Sequence, residues 1–142
     1  MGRHMAANLV RAGFAVHGVD INEKNLKMAD EMGIKPFDKI NQACEGLTGN
    51  DFVITSLPDT SDVEKTMVTK GGILESVADK EGCMIIDTST VSPIASQQFH
   101  KVAKETNCRF LDAPVAGGVP GAKNGSLVFM VGAGSEEDFE YS

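Results

Sequence analysis

The chain lacks several features that define other classes of protein. Its 142 residues contain no apolar run near the ~20 residues of a membrane-spanning helix, so no membrane partner is expected. Basic residues number 13 against 20 acidic ones, without a long basic run, which argues against a nucleic-acid partner. The cysteines, Cys44, Cys83 and Cys108, form no CxxC pair, so neither a disulfide framework nor a metal site is expected, and a reducing compartment fits best. The start of the chain also shows no signal or transit sequence.

The composition predicts one domain with a substantial core. Hydrophobic residues make up 42% of the chain, more than a disordered segment carries. Short β-rich runs alternate with amphipathic stretches, which is typical of βαβ units. The predicted fold class is therefore α/β, with a doubly wound, mostly parallel sheet.

The pattern of apolar residues and turn signals places the individual elements. Strands are predicted at residues 15–19, 52–54, 84–86, 109–111 and 127–131. Helices are predicted at residues 5–12, 23–32 and 61–70, the last with Ser61 and Glu64 as a capping box, and a fourth begins at Ser92-Pro93. A doubly wound sheet ordinarily opens with a strand, whereas this chain opens with a helix. We therefore expect residues 1–142 to be a domain truncated at both ends.

Gly2 and Asp20 have the spacing of two residues in a dinucleotide-binding unit. The last glycine of G-x-G-x-x-G lets a helix pack close to a strand, and an acid some 20 residues later accepts hydrogen bonds from the adenosine ribose. The first two glycines would precede residue 1. Taken alone, Gly2 is equally well explained as a flexible end, and Asp20 is better explained as a solvated acid at the end of a strand.

Longer motifs resemble one enzyme family. Residues 1–9 (MGRHMAANL) are similar to the G-x-x-M-A-x-N-L helix of the β-hydroxyacid dehydrogenases, in particular of 3-hydroxyisobutyrate dehydrogenases. Residues 53–58 (VITSLP), 86–93 (IDTSTVSP) and 112–118 (DAPVAGG) resemble three further motifs of that family, in the same order. The similarity covers essentially the whole chain. It implies a Rossmann-type sheet that binds NAD and is followed, in the family, by a helical domain.

The resemblance also implies which residues contact ligands. The cofactor would be bound by Gly2, His4, Met5, Asp20, Ile21, Leu57, Pro58, Asp62 and Thr90. The substrate, a small β-hydroxy acid, would be bound by Ser89, Gly117 and Gly118. The chain departs from the family at Asp62, where Asn is frequent and a carboxylate would repel pyrophosphate, and at Ala116, where Ser is usual.

The family's reaction transfers a hydride to NAD while a lysine acts as general acid/base. That lysine lies beyond the end of this chain, so no catalytic residue is expected within it and residues 1–142 alone should be inactive. The implied activity is oxidation of 3-hydroxyisobutyrate, or of a close β-hydroxy acid, to the semialdehyde. Alternatives are a reductase of glyoxylate, succinic semialdehyde or tartronate semialdehyde, and a non-catalytic domain that binds a nucleotide or a protein partner.

The resemblance carries expectations about the cellular setting as well. The parent enzyme would be a homo-oligomer. It would be mitochondrial in a eukaryote, where the reaction belongs to valine catabolism, and cytoplasmic in a bacterium. A mitochondrial presequence is not visible in residues 1–142.

Overall fold

The computed structural model describes residues 1–141, which form eight helices and eight strands. In chain order these are α1 (Gly2–Arg11), β1 (His17–Val19), α2 (Glu23–Glu31), β2 (Lys35–Phe37), α3 (Ile40–Cys44), β3 (Phe52–Thr55), α4 (Thr60–Val68), α5 (Ile73–Ser76), β4 (Met84–Asp87), α6 (Pro93–Glu105), β5 (Arg109–Asp112), β6 (Val115–Ala116), α7 (Gly118–Asn124), β7 (Val128–Phe129), β8 (Gly132–Ala133) and α8 (Glu136–Tyr141).

The strands form three hydrogen-bonded groups. β3, β4 and β5 are parallel neighbours, and β8 joins β5 in the antiparallel direction. β1 and β2 form a separate parallel pair, and β6 and β7 a short antiparallel one. The predicted α/β class with a mostly parallel sheet is therefore confirmed. Within residues 1–141, no strand links β1 to β3.

The core lies between the β3–β4–β5 sheet and helices α3 to α6. Val63 and Met67 of α4 are fully buried, as the helical spacing predicts. In α6, Phe99 packs its ring against Phe110 of β5 with the centroids 6.2 Å apart. These contacts fix α4 and α6 on one face of the sheet, so the loops after β3 and β4 are held at a common edge.

Two helix starts can be compared with the sequence prediction. Ser92 caps α6 by accepting a hydrogen bond from the Ala95 amide, with Pro93 in the first turn, as predicted. The predicted capping box of α4 is wrong, because the helix begins one residue earlier. Asp59 has extended backbone angles and accepts the Asp62 amide at 3.0 Å, which leaves Ser61 inside the first turn.

Several short elements were not predicted from the sequence: β2, α3, α5 and α7. β2 contains Pro36, and because proline lacks a backbone N–H its presence argues against a strand in the sequence. It is tolerated here in a three-residue strand. The strand predicted at residues 127–131 is shorter in the structure, where β7 covers only Val128–Phe129 and pairs with β6. The next strand, β8, begins at Gly132 and pairs with β5.

Candidate functional site

The predicted ligand-binding residues lie at the carboxyl ends of the parallel strands. Asp20 follows β1, Leu57 follows β3, and Ser89 and Thr90 follow β4. In open α/β sheets, ligands bind outside this edge. Gly2, at the start of α1, also lies at this edge, against the residue that follows β3.

Gly2 allows α1 to approach the end of β3 closely. A Cβ atom added to Gly2 would lie 3.3 Å from the Cβ of Ser56, a tighter contact than side chains normally make. No side chain within residues 1–141 caps the first turn of α1. Its backbone N–H groups and the positive end of the helix dipole are therefore available for a phosphate.

Asp20 is held in place by two hydrogen bonds. Its Oδ1 accepts the Asn22 amide at 2.8 Å, and its Oδ2 accepts the Asn25 side-chain amide at 2.9 Å. Asn22 in turn caps α2 by accepting the Lys24 amide at 2.9 Å. A carboxylate has about four acceptor positions, so each oxygen of the half-buried Asp20 can still accept one ribose hydroxyl.

Ile21 and Lys24 are the neighbours of Asp20 that bear on the choice between NAD and NADP. Ile21 is fully exposed, at 106% of its reference accessibility, and carries no charge that would attract a 2′-phosphate. Lys24 is exposed on the first turn of α2.

A network of side chains joins the ends of β3 and β4. Thr55 donates its hydroxyl to Asp87 Oδ1 at 2.7 Å, and the Ser89 amide donates to the same oxygen at 3.0 Å. Thr88 donates its hydroxyl to the Thr55 carbonyl at 2.6 Å. The Leu57 amide donates to Ser89 Oγ at 2.9 Å. These bonds fix the two loops that carry the predicted cofactor contacts.

Ser89 and Thr90 differ in accessibility. Ser89 is 4% exposed and its oxygen accepts the Leu57 amide, although its own hydroxyl proton remains available to a ligand. Thr90 and Pro58 are exposed at the edge and Leu57 is half-buried. The side chain of Ser89 therefore stabilises the Leu57 loop through this hydrogen bond, while its contact with substrate stays a prediction.

The turn at Gly117 and Gly118 requires glycine. Their φ angles are +123° and +57°, in the region that L side chains rarely adopt. A Cβ on Gly117 would also lie 3.2 Å from Leu127 Cδ2. Both residues are exposed at the start of α7, so their backbone can approach a ligand closely.

Helix α1 is attached to the far end of α7 by polar side chains. Asn8 donates its side-chain amide to the Ala122 carbonyl at 2.7 Å, and Arg11 donates to the Lys123 carbonyl at 3.4 Å. These carbonyls lie in the last turn of α7, where no partner exists within the helix. Asn8 therefore helps to set the position of the Gly117–Gly118 turn. Asn8 lies in the first motif, residues 1–9, but its role could not be inferred from sequence because it depends on the tertiary contact with α7.

His4 and Met5 are half-buried on α1. Burial lowers the pKa of His4, and the positive charges of Arg3, Lys123 and the chain's amino terminus lower it further. His4 is therefore favoured as a neutral imidazole that can donate or accept a hydrogen bond. Asp62, half-buried in the first turn of α4, lies 4.0 Å from Lys65 Nζ, which offsets part of its negative charge.

The three cysteines are all buried and unpaired in the core. Burial raises the pKa of the Cys83 thiol to about 12 and raises those of Cys44 and Cys108 as well. Thiols in this state are poor nucleophiles. Within residues 1–141, no group of His, Cys, Asp and Glu is arranged to hold a metal ion. In the same range, no helix combines the length and apolarity that crossing a membrane requires.

A sheet edge with a glycine-led helix and an anchored acid is the architecture of a dinucleotide-binding α/β domain. Residues 1–142 match the family described as the NAD binding domain of 6-phosphogluconate dehydrogenase. The chain belongs to that family. NAD is accordingly its cofactor, as the motifs predict, and the observed edge fits this molecule at Gly2 and Asp20.

Relatives and solved structures agree with this assignment. The chain is 40% identical over 144 residues to 2-(hydroxymethyl)glutarate dehydrogenase of Eubacterium barkeri, covering 99% of this chain and 44% of the relative. It is 38% identical over 136 residues to 3-hydroxyisobutyrate dehydrogenase of Pseudomonas aeruginosa, covering 96% and 44%. A structure of Mycobacterium tuberculosis 3-hydroxyisobutyrate dehydrogenase with L-serine matches with a TM-score of 0.82 and 32% identity, covering 99% and 45%. The resemblance to the β-hydroxyacid dehydrogenases is confirmed, and the chain spans less than half the length of these relatives.

Proposed function

We propose that the chain is the NAD-binding domain of a dehydrogenase that oxidises 3-hydroxyisobutyrate, or a close β-hydroxy acid, to the semialdehyde. The observation that carries this proposal is the cross-linked edge of β3 and β4. There Ser89 Oγ accepts the Leu57 amide and the Ser89 amide donates to Asp87, so the Leu57 loop lies next to the loop of Ser89 and Thr90. By resemblance, Leu57 and Thr90 would contact the cofactor and Ser89 the substrate. One rigid edge thus presents residues suited to both reactants.

The names of the relatives support a particular substrate class. 2-(Hydroxymethyl)glutarate, 3-hydroxyisobutyrate and the L-serine of the mycobacterial structure share one chemical unit. In each, a hydroxymethyl group and a carboxylate are attached to the same carbon, and only the remaining substituent differs. We propose this unit as the group recognised by the whole protein, with the substituent setting the preference among acids.

The residues at the carboxyl edge of the sheet and in the glycine turn have distinct roles in this proposal. Asp20 accepts the adenosine ribose hydroxyls, and the first turn of α1 faces the pyrophosphate. Leu57 and Pro58 supply an apolar surface, and Thr90 a hydroxyl, for the nicotinamide half. The backbone of Gly117 and Gly118, with Ser89, binds the substrate carboxylate. NAD, when bound, supplies the hydride acceptor for the carbinol carbon.

The proton of the substrate hydroxyl needs a general base. By resemblance this is a lysine outside residues 1–142. Lys101, Lys104 and Lys123 of this chain are exposed side chains on α6 and α7. We therefore propose that no residue of this chain is the general base.

The alternatives use the same edge differently. A reductase of tartronate semialdehyde would form glycerate, which carries the same hydroxymethyl and carboxylate unit, by hydride transfer in the opposite direction. The substrates and products of glyoxylate and succinic semialdehyde reductases lack that shared unit. A non-catalytic domain would bind a nucleotide or a protein without turnover. We propose that the whole protein is a homo-oligomer. In a eukaryote it would be mitochondrial and act in valine catabolism, and in a bacterium it would be cytoplasmic.

Steady-state kinetics of the whole protein distinguish these functions. The panel consists of 3-hydroxyisobutyrate, 2-(hydroxymethyl)glutarate, L-serine and glycerate with NAD, and of glyoxylate and succinic semialdehyde with NADH. The proposal predicts that kcat/KM is highest for 3-hydroxyisobutyrate, 2-(hydroxymethyl)glutarate or L-serine, whereas a preference for glycerate would favour the tartronate semialdehyde reductase. Turnover only of glyoxylate or succinic semialdehyde would replace the proposed substrate class, and absence of turnover with all of them would favour the non-catalytic alternative.

A further inference from the structure

Two aspartates lie side by side beneath helix α6. In the register of the sheet, Asp87 at the end of β4 is opposite Asp112 at the end of β5, and Thr55 of β3 is opposite Asp87 on its other side. Register partners on parallel strands point to the same face, and adjacent strands lie about 4.8 Å apart. The two carboxyl groups are therefore direct neighbours in one row.

Each of these carboxyl groups has an oxygen without a donor. Asp87 is completely buried, and its Oδ1 accepts Thr55 Oγ1 at 2.7 Å and the Ser89 amide at 3.0 Å. Within residues 1–141, Asp87 Oδ2 and Asp112 Oδ1 are buried and make no hydrogen bond. Thr55 occupies the side of Asp87 that faces β3, so Oδ2 is left for the side that faces β5.

A single proton would satisfy both oxygens. Asp87 is buried and Asp112 is half-buried with its Oδ1 atom fully enclosed. Two such neighbouring carboxylates repel each other, and each buried acceptor without a donor costs free energy. A protonated carboxyl group donates one hydrogen bond, and an ionised one accepts it. One proton placed between the two unpaired oxygens would therefore make one of them a donor and the other its acceptor. No third group is needed.

We propose that Asp87 and Asp112 share one proton, carried by Asp112 Oδ1 and donated to Asp87 Oδ2. The resulting bond joins β5 to the network that already links β3 and β4. Asp87 is then a positioning residue, because it holds the Ser89 amide and, through Ser89, the Leu57 loop. The inference goes beyond the proposed function, since it concerns proton binding by the folded chain and its test requires neither NAD nor substrate.

The surroundings assign the proton to Asp112. Burial raises the pKa of Asp112, and the neighbouring charge of Asp87 raises it as well, while a hydrogen bond from the Ser96 side chain of α6 lowers it. Asp87 already accepts two hydrogen bonds and is the natural acceptor.

Other charged groups near this row are directed elsewhere. On β5, Arg109 is paired with Glu137 and Asp138 of α8, at 3.2 and 3.7 Å. His100, one turn beyond Ser96 on α6, lies against Gly134. β8 presents the backbone of Gly132 to Asp112.

The proposal predicts how stability depends on pH. The pKa of Asp112 is higher in the folded chain than in the unfolded chain, so the folded chain retains a proton that the unfolded chain releases. This contribution is complete below the ordinary aspartate pKa and is lost as pH rises through the folded-state pKa of Asp112. Between those two pKa values, one proton changes the unfolding equilibrium constant by at most about tenfold per pH unit.

The test is urea unfolding of the purified chain over a series of pH values, comparing wild type with Asp112→Asn. The side-chain amide introduced by that substitution would donate to Asp87 Oδ2 at every pH. Relative to wild type, we therefore expect Asp112→Asn to gain stability as pH rises. Asp30→Asn, an exposed carboxylate on α2, is the matched control and should keep the wild-type slope. An Asp112→Asn variant with the same pH slope as wild type would overturn the proposal.

A second measurement keeps the proposal testable if Asp112→Asn does not fold. Carboxyl carbon chemical shifts of the wild-type chain, followed by NMR through a pH titration, report the protonation of Asp112 directly. A midpoint for Asp112 above the ordinary aspartate range supports the shared proton. A midpoint within or below that range contradicts it.

Discussion

Asp20 is the residue through which we propose that the chain selects its cofactor. Its two oxygens are fixed by Asn22 and Asn25, so the carboxylate cannot rotate away from a ligand without breaking hydrogen bonds. A fixed negative charge accepts the ribose hydroxyls of NAD and repels the 2′-phosphate of NADP, which usually needs a nearby arginine. The exposed Ile21 supplies no such charge. Lys24 lies in the first turn of helix α2, and therefore outside the turn that follows Asp20.

We predict that Asp20→Asn combined with Ile21→Arg shifts the preference of the protein from NAD toward NADP. Removing the carboxylate abolishes the repulsion, and the new guanidinium can pair with the 2′-phosphate. The expected change in the ratio of the two dissociation constants is about tenfold or more, equivalent to roughly 1.4 kcal/mol. Calorimetric titration with each cofactor measures it. A wild-type protein that binds NADP as tightly as NAD would refute the role given to Asp20.

A second residue-scale prediction concerns Gly117. Gly117→Ala should lower the free energy of unfolding by about 1–3 kcal/mol, because alanine is strained at a φ of +123° and its methyl group meets Leu127. Urea unfolding measures the loss. Gly46→Ala is the control, since nothing lies within 4 Å of its added Cβ. Equal stability of the two variants would show that the turn adapts to a side chain.

At the residue scale, the sequence suggested candidate ligand contacts but not the residues that support them. Gly2, Asp20 and the glycine turn could be proposed from sequence because the proposed task of each is local and requires its residue type. Asn8 and Asp112 could not be assigned, because their partners lie on elements distant in sequence. Only the packing of α1 against α7, and the register of β4 with β5, shows what they do.

At the scale of elements, the outer edge of β3 is the least protected part of the sheet. Within residues 1–141, β3 is hydrogen-bonded only to β4. Phe52 and Ile54 of β3 are 42% and 43% exposed, and Val19 of β1 is 43% exposed. An unpaired strand edge with apolar side chains is a template for pairing with another chain.

We therefore predict that residues 1–142, expressed alone, self-associate through β3. Size-exclusion chromatography at several concentrations should show an apparent mass that rises with concentration. Ile54→Lys should reduce that rise, because a charge on an edge strand opposes pairing. Ile94→Lys, at an exposed position of α6, should leave it unchanged. A wild-type chain that stays monomeric with a sharp thermal transition would be incompatible with this account of the edge.

The helices of nine or more residues and the apolar strands were predictable from sequence, whereas several short elements were not. α2, α4 and α6 show clear helical periodicity, and β3, β4 and β5 are apolar runs bounded by turns. β2, α3 and α5 have three to five residues each, too few for any period to emerge. The short extent of β7 and the separate strand β8 depend on which strands are available as partners, which is a tertiary property.

At the scale of the whole molecule, we propose that the chain provides a cofactor edge and part of a substrate site. We predict that residues 1–142 alone do not oxidise 3-hydroxyisobutyrate with NAD, because the general base is proposed to lie outside them. General acid/base groups typically contribute about 10²–10⁴-fold to rate. The measurement is NADH formation at high protein concentration. Clear turnover would mean that a residue within this chain acts as the base.

NAD binding at the edge formed by α1, β1 and β3 is tested most directly by calorimetric titration of the wild-type protein and of Asp20→Ala with NAD. We predict that wild type binds NAD at one site per chain. Asp20→Ala should bind it about tenfold or more weakly, because two charge-assisted hydrogen bonds are lost. Failure of wild type to bind NAD, or equal binding by the two proteins, would contradict this assignment of the site.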